Sequence, residues 1–294
     1  MQHPEMIRAA GIISKPNREL LSTVVPPLLD WLRSRKIAVC IDEETREAAA
    51  SASATAACLS REELAAQVDL LIVLGGDGTL LSASRALGSH KVPILAVNLG
   101  GLGFLTSVTL DELYPVLDQI LAGEHRTSER MMLDAEIVRG GKVGERQIAL
   151  NDAVANKAAI ARMLDFDVFV NGDSVGRYRA DGLVVATPTG STAYSLAAGG
   201  PIIDPDLDAF VITPICPHML TNRPLVVPGS ARIDLDFAAA EEPVYITLDG
   251  QIGFQLKPKD RVSITQSKSR VALVRPPSKT YFEVLRNKLK WGER

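Results

Sequence analysis

The sequence predicts an α/β amino-terminal, doubly wound domain followed by a β-rich carboxy-terminal domain of antiparallel sheets. Strand-like and helix-like patterns alternate over residues 1–125, the hydrophobic period drops to two after residue 126, and glycine-rich loops follow the most apolar runs. A chain of 294 residues suits about two domains. The divisions fall at residues 1–125, 126–268 and a tail of 269–294.

In the first part, Ile7 to Ile13 reads as a strand. The amphipathic stretch through Leu29, Leu32 and Arg35 reads as a helix that Pro26-Pro27 must start or kink. Ile37 to Ile41 is a second apolar run, and Ala48 to Ala57 a small-residue mobile loop. Ser60-Arg61-Glu62-Glu63 is a capping box, in which serine and glutamate satisfy each other's orphan amides. Leu70 to Leu74 is continuously apolar, the mark of a strand buried on both faces of a parallel sheet. Thr79 to Leu87 reads as a helix, Ile94 to Val97 as a strand, and Thr109-Leu110-Asp111-Glu112 opens a helix that stops at Gly123. Beyond residue 126, Leu133 to Val138 alternates into Gly140-Gly141, and Val168-Phe169-Val170 meets Asn171-Gly172, a type I′ hairpin signal. Ile233 to Phe237, Val244 to Leu248 before Asp249-Gly250, and Val262 to Ile264 continue the short strands. In the tail, Phe282, Leu285 and Leu289 share a helical face.

Composition excludes several classes. Lys plus Arg number 32 against 35 Asp plus Glu, and a net charge of −3 argues against a duplex nucleic-acid binder. The aliphatic runs fall far short of the ~18 residues of a membrane span. Cys40, Cys58 and Cys216 are an odd set without C-x-x-C, which excludes a disulfide framework and fits a reducing compartment. Met1 to Glu5 lacks the basic and apolar regions of a signal peptide, so a cytoplasmic location is expected. His3, His90, His125 and His218 are scattered without metal-ligand spacing, a Walker A motif is absent, and Gly190-Ser191 is no nucleophile elbow. No protein metal site is expected; a divalent ion would ride in on a nucleotide polyphosphate.

The sharpest feature is Gly75-Gly76-Asp77-Gly78-Thr79, at the carboxyl end of the most hydrophobic strand and ahead of a helix. Ligands of open α/β sheets bind there, because helix amides point into the crevice. The glycines would adopt positive φ and let a phosphate approach the backbone, while Asp77 would take a hydroxyl proton or position a metal. The plainer reading is a tight turn with Asp77 as an N-cap. Asn98-Leu99-Gly100-Gly101-Leu102-Gly103-Phe104 puts a second glycine-rich loop on the same edge. Asn151-Asp152 can grip a ribose diol or simply form an Asx turn. Arg179-Ala180-Asp181-Gly182 leads through a β run to Thr187-Pro188-Thr189-Gly190-Ser191-Thr192-Ala193-Tyr194-Ser195 and on to Gly199-Gly200-Pro201. Hydroxyls at a helix start can bind phosphates and base edges, and Tyr194 offers a stacking face. Against this stand a Ser/Thr capping turn and a surface Arg179–Asp181 ion pair.

Together these segments resemble bacterial NAD kinases over nearly the whole chain, including the Tyr281-Phe282 to Trp291 tail. The glycine-aspartate loop is shared with diacylglycerol and sphingosine kinases, and in a related form with 6-phosphofructokinases; Thr187 to Ser195 is the distinctive part. The resemblance implies phosphoryl transfer from ATP (or polyphosphate) to the 2′-hydroxyl of the adenosine ribose of NAD, giving NADP. It implies a carboxy-terminal tail that packs back on the first domain, a divalent cation, Mg2+ carried with ATP, and a homodimer or homotetramer. Asp77 would be the general base, with Gly75, Gly76 and Gly78 around it. Asn151, Asp152, Arg162, Arg179, Asp181, Thr189, Thr192, Ala193, Tyr194, Ser195, Leu196, Ala197 and Gln251 would contact the dinucleotide. Arg162 stands where relatives often have histidine, and Asp152 where many carry glutamate, keeping the charge on a side chain about one methylene shorter. Alternatives are a lipid kinase using the same loop and a dinucleotide-binding sensor without catalysis.

Overall fold

The structure, a computed structural model, describes residues 7–15, 18–49, 56–101, 103–157, 163–237, 243–257, 259–276 and 279–292. The chain forms two compact units, Met1–Glu129 with Val271–Arg294, and Arg130–Arg270.

The first unit alternates β1 (Ala9–Ser14), α1 (Arg18–Ser34), β2 (Ala38–Ile41), α2 (Glu43–Ala49), β3 (Ala57–Cys58), α3 (Arg61–Gln67), β4 (Leu70–Gly75), α4 (Asp77–Ala86), β5 (Ile94–Asn98), β6 (Val108–Thr109) and α5 (Leu113–Leu121). The strands are parallel in the order β3-β2-β1-β4-β5-β6. The order reverses between β1 and β4, so the loops leaving their carboxyl ends diverge there. All six residues of β4 are buried, as its unbroken apolar run requires. Helix α1 begins eight residues before Pro26 and runs through both prolines, which therefore do not start it. Each proline costs ~3 kcal/mol, but Leu21, Val25, Leu28, Leu29 and Leu32 are all buried along this helix, at ~1.5–3 kcal/mol apiece. The capping box forms, with Ser60 Oγ accepting from Glu63 N–H at 3.2 Å and Glu63 Oε2 accepting from Ser60 N–H at 3.0 Å. Thr109 to Glu112 leads into α5 and ends at its N-cap, Glu112, which accepts from Thr109 N–H at 2.9 Å. Of the run read as a loop, Ala49 ends α2 and Ala57 starts β3, while residues 50–55 lie outside the described residues.

The second unit contains β7 (Arg126–Arg139) from Arg130 on, β8 (Lys142–Ala149), β9 (Asp152–Lys157), β10 (Leu164–Val170), β11 (Asp173–Ala180), β12 (Gly182–Ala186), a 3₁₀ turn at Gly190–Thr192, the single-turn α6 (Tyr194–Ala197), β13 (Ala209–Ile215), β14 (Leu225–Pro228), β15 (Ile233–Asp236), β16 (Val244–Leu248), β17 (Ile252–Gln255) and the start of β18 (Arg261–Arg275). Six strands form an antiparallel sheet, β14-β13-β12-β9-β16-β17. A second antiparallel set runs β11-β10-β15-β18, with β7 paired to β8 and β18. Phe166, Leu183, Phe210, Ile246 and Ile264 meet in one core, where the Phe166 and Tyr178 rings stack at 5.7 Å. Asn171 and Gly172 have φ of 53° and 87° and join the paired Val170 and Asp173, as a type I′ turn demands.

From Val271 the chain belongs to the first unit: Leu273 of β18 lies parallel to Ile94 of β5, and α7 (Tyr281–Leu289) follows behind a Thr280–Glu283 capping box. Lys279 Nζ donates to Ser107 C=O at 2.9 Å and to Glu112 at 2.6 Å. On the expected α7 face Leu285 is buried but Phe282 is exposed; Val284 takes its place in the core. Among the described residues no helix is long and apolar enough to cross a membrane.

Candidate active site

In the first unit, strand β4 delivers Asp77 to the first position of α4, with Gly76 as the N-cap. The Asp77 side chain does not cap the helix, which sets aside the plainer reading of the loop. It reaches the loop after β5 instead. Oδ1 accepts from Leu105 N–H (3.2 Å), Thr106 N–H (3.0 Å) and Thr106 Oγ1 (2.9 Å), and Oδ2 from Phe104 N–H (3.0 Å). Each carboxylate oxygen has two lone pairs. Among the described residues Oδ1 thus has three donors and Oδ2 one. The expected positive φ is not what the glycines supply: Gly75, Gly76 and Gly78 are not among the positive-φ residues, and Gly76 has φ −105°. Gly75 is needed for space, since a Cβ there would stand 2.3 Å from Thr79 Oγ1, whereas one at Gly76 would meet no atom of the described residues within 4 Å.

Asn98, at the end of β5, ties the second glycine loop together. Its Oδ1 accepts from Gly100 N–H at 2.7 Å, and its Nδ2 donates to Gly101 C=O at 2.9 Å and Thr106 Oγ1 at 2.7 Å. A Cβ on Gly103 would lie 2.1 Å from Asp77 Oδ1, so only glycine lets the carboxylate seat against this loop.

In the second unit, three adjacent strand ends converge. Asn151 precedes β9, Thr187 follows β12, and Asp249 follows β16, with Asp152 paired to Ala186 and Ala153 to Leu248. Thr187 N–H donates to Asn151 C=O at 2.8 Å. Gly190 packs so closely on this turn that a Cβ would come within 2.0 Å of Asn151 O. Asp249 and Gly250, both with left-handed φ, turn the chain so that the Asp249 carboxylate accepts from the N–H groups of Leu150 (3.2 Å), Asn151 (2.7 Å) and Asp152 (3.4 Å). Two buried polar atoms here have no hydrogen-bond partner, Asn151 Oδ1 and Thr189 Oγ1. Leaving such groups unmet costs ~1–3 kcal/mol each; a ribose hydroxyl can donate to Asn151 Oδ1, and a ribose or phosphate oxygen can accept from Thr189 Oγ1. The Asp152 carboxyl is only 4% exposed, and burial, aided by the Asp249 carboxylate, pushes its pKa up to about 7. It can therefore donate or accept a hydrogen bond near neutrality.

The structure distributes the expected residues unevenly. Asn151, Asp152, Thr189, Thr192 and Gln251 lie on or next to these turns; Thr192 Oγ1 donates to Thr189 C=O at 3.2 Å, and Gln251 N–H closes the Asp249-Gly250 turn on Leu248 C=O at 2.9 Å. Tyr194 opens α6 with 43% of its surface exposed, and Ala193, Leu196 and Ala197 flank it. Ser195 points inward, with its hydroxyl buried against Thr213 Oγ1 at 2.9 Å. Arg179 and Asp181 sit at the opposite end of β12, roughly 14 Å along the strand at about 3.4 Å per residue. Asp181 pairs with Lys157 at 2.5 Å, not with the exposed Arg179, so the surface pair weighed from sequence does not form among the described residues. Arg162 and Leu102 lie outside the described residues. Sequence reasoning gave no role to Thr106 or Lys157, and took Asn98 and Gly103 only as parts of a glycine-rich loop and Asp249 only as part of a turn. Asn98 carried a usable signal, an asparagine two residues before a glycine at a strand end; the other contacts span many residues and leave no local trace. Among the described residues no three His, Cys, Asp or Glu side chains gather to hold a metal.

Comparison with known proteins follows the same division. The family model described as "ATP-NAD kinase N-terminal domain" matches residues 10–125, and "ATP-NAD kinase C-terminal domain" matches residues 150–276. The chain is 51% identical to the NAD kinase of Solibacter usitatus (strain Ellin6076) over 98% of its own length and 99% of the relative's. It is 48% identical to that of Geobacter metallireducens (strain ATCC 53774 / DSM 7210 / GS-15), over 98% and 100%. The crystal structure of yeast NADH kinase complexed with NADH superposes with a TM-score of 0.90 at 25% identity, covering 99% of this chain and 89% of that one. An NAD kinase from Archaeoglobus fulgidus in complex with ATP shares the fold, with a TM-score of 0.74 at 24% identity over 96% and 98% of the chains. These likenesses favour the dinucleotide kinase over the lipid-kinase and sensor alternatives. With both family domains matched in order and about half of all positions shared with full-length bacterial relatives, the chain belongs to the NAD kinase family.

Proposed function

We propose that the chain transfers the terminal phosphoryl group of ATP to the 2′-hydroxyl of the adenosine ribose of NAD. The observation that carries this reading is Asp77: a half-buried carboxylate at a helix start, spent neither on capping nor on an ion pair among the described residues, and aimed by four donors of one loop. A ribose hydroxyl is a weak nucleophile until its proton has an acceptor. As the hydroxyl oxygen forms its bond to the terminal phosphorus, its proton passes to Asp77, and the bond from phosphorus to the oxygen of the departing ADP breaks. The transferring group passes through a loose state that needs positioning and charge neutralisation more than covalent help. The amino end of α4 and the open space over Gly76 suit a phosphate. Asn151, Asp152, Thr189 and Tyr194 hold the dinucleotide in this reading, with Thr192 to Ala197, Arg162, Arg179, Asp181 and Gln251 as further contacts. The orphaned Asn151 Oδ1 and Thr189 Oγ1 support it. Magnesium enters as part of the MgATP substrate, since a hard cation on phosphate oxygens needs no protein cage. The free thiols of Cys40, Cys58 and Cys216 agree with a cytoplasmic protein, and the reading includes a homodimer or homotetramer.

The test is incubation with NAD, ATP and magnesium, read by an NADP-specific dehydrogenase. The Asp77→Asn protein should bind NAD nearly as the parent does and turn over at least ~100-fold more slowly. A folded Asp77→Asn protein with normal turnover would remove Asp77 from the chemistry.

A further inference from the structure

We infer that Thr106, oriented by Asn98, is the positioning residue that holds Asp77 so that Oδ2 is the oxygen receiving the substrate proton. This rests on Asp77 being the proton acceptor and adds which oxygen acts and what aims it. Thr106 is fully buried and Asn98 nearly so, both within the first unit. A threonine hydroxyl has one hydrogen to give. Because Thr106 Oγ1 accepts from Asn98 Nδ2 at 2.7 Å, its own hydrogen is directed to Asp77 Oδ1, 2.9 Å away. Leu105 and Thr106 N–H converge on the same oxygen. Oδ1 is thereby filled and its charge spent on protein donors, while Oδ2 has only Phe104 N–H upon it among the described residues and is left to take the substrate proton. The loop cannot swing away independently. Asn98 holds it at Gly100, Gly101 and Thr106, and Gly103 leaves no Cβ between loop and carboxylate. During transfer the ribose hydroxyl proton moves to Oδ2, the ribose oxygen bonds to the terminal phosphorus, and the ADP oxygen leaves with its electron pair.

The test compares Thr106→Val, Thr106→Ser and Asp77→Asn. Valine keeps the shape and removes the donor; serine keeps the donor and loses only a methyl. Thr106→Val should lower kcat by about 10- to 100-fold with KM for NAD and ATP within about twofold of the parent, the signature of an interaction used in the chemical step. Thr106→Ser should recover kcat to within about threefold of the parent. A structural role for the methyl group would impair serine as much as valine, and that result overturns the inference. So does a folded Thr106→Val protein with parental kcat, or one with raised KM alone. If the valine protein does not fold, Thr106→Ala against Thr106→Ser decides by the same readings. Parental kcat in Asp77→Asn overturns the proton-acceptor reading and this inference with it. An impaired Asp77→Asn beside a parental Thr106→Val overturns only the role of Thr106.

Discussion

Replacing Gly103 by alanine adds one methyl group at the tightest point of the first unit's polar network. Its carbon would stand 2.1 Å from Asp77 Oδ1, 2.3 Å from Thr106 Oγ1 and 2.8 Å from Asp77 Cγ. To restore even about 3.2 Å the carboxylate must withdraw by about 1 Å. Gly103 has no positive φ, so alanine itself is tolerated by the backbone and the effect falls on the side chains it strikes. A 1 Å misplacement of a reacting group costs about 100-fold in rate. Loss of one or two hydrogen bonds to a charged group should cost about 1.5–3 kcal/mol or slightly more, and lower Tm by several degrees without preventing folding. The assay is NADP formation under saturating NAD and ATP, with Tm by scanning calorimetry and NAD affinity by titration. A folded Gly103→Ala protein with kcat within about twofold of the parent would refute the claim that the 103–106 loop sets the position of Asp77.

The remaining predictions concern the phosphate cradle, the titrating carboxyl and the stacking face. Gly76→Ala should fold with little loss, about 0.5–1 kcal/mol for the altered N-cap, because its Cβ meets no atom of the described residues within 4 Å. It should nonetheless raise KM for ATP about tenfold, and an unchanged KM would mean that no phosphate approaches that backbone. The Asp152 carboxyl, held near 7 against an ordinary 3.8, keeps its proton in the folded chain over a pH range where the unfolded chain has lost it. Stability therefore falls as pH rises from about 4 to 7, by up to ~4 kcal/mol. An asparagine in its place does not titrate, so the Tm advantage of Asp152→Asn over the parent should be larger at pH 8 than at pH 5; equal differences would show that the carboxyl does not carry this cost. Tyr194→Ala should weaken NAD about tenfold while changing kcat much less, and unaltered NAD affinity would remove the stacking role.

The fold class was legible because burial leaves periodic marks. The unbroken run Leu70 to Leu74 announced a strand covered on both faces, and the alternation after residue 126 announced antiparallel sheets. Capping at Ser60 and the Asn171-Gly172 turn were equally local and equally readable. Pro26-Pro27 left open whether a helix starts there, since the local cost of proline is visible in sequence while the five buried residues that outweigh it are visible only in the packed helix.

For the site, the chain by itself determined which segments carry chemistry: the glycine-aspartate loop, the Asn151-Asp152 pair and the hydroxyl-rich run to Ser195 owe their character to composition within a few residues. Tertiary structure decided how each polar atom is used. It aimed Asp77 at amides 27 to 29 residues away, turned Ser195 inward to Thr213, gave Asp181 to Lys157, and set Asp249 under Asn151 from 98 residues away. The physical reason is range. Backbone propensity acts over a turn or two, whereas the partner of a buried polar group is whichever donor or acceptor the packed strands bring within about 3 Å.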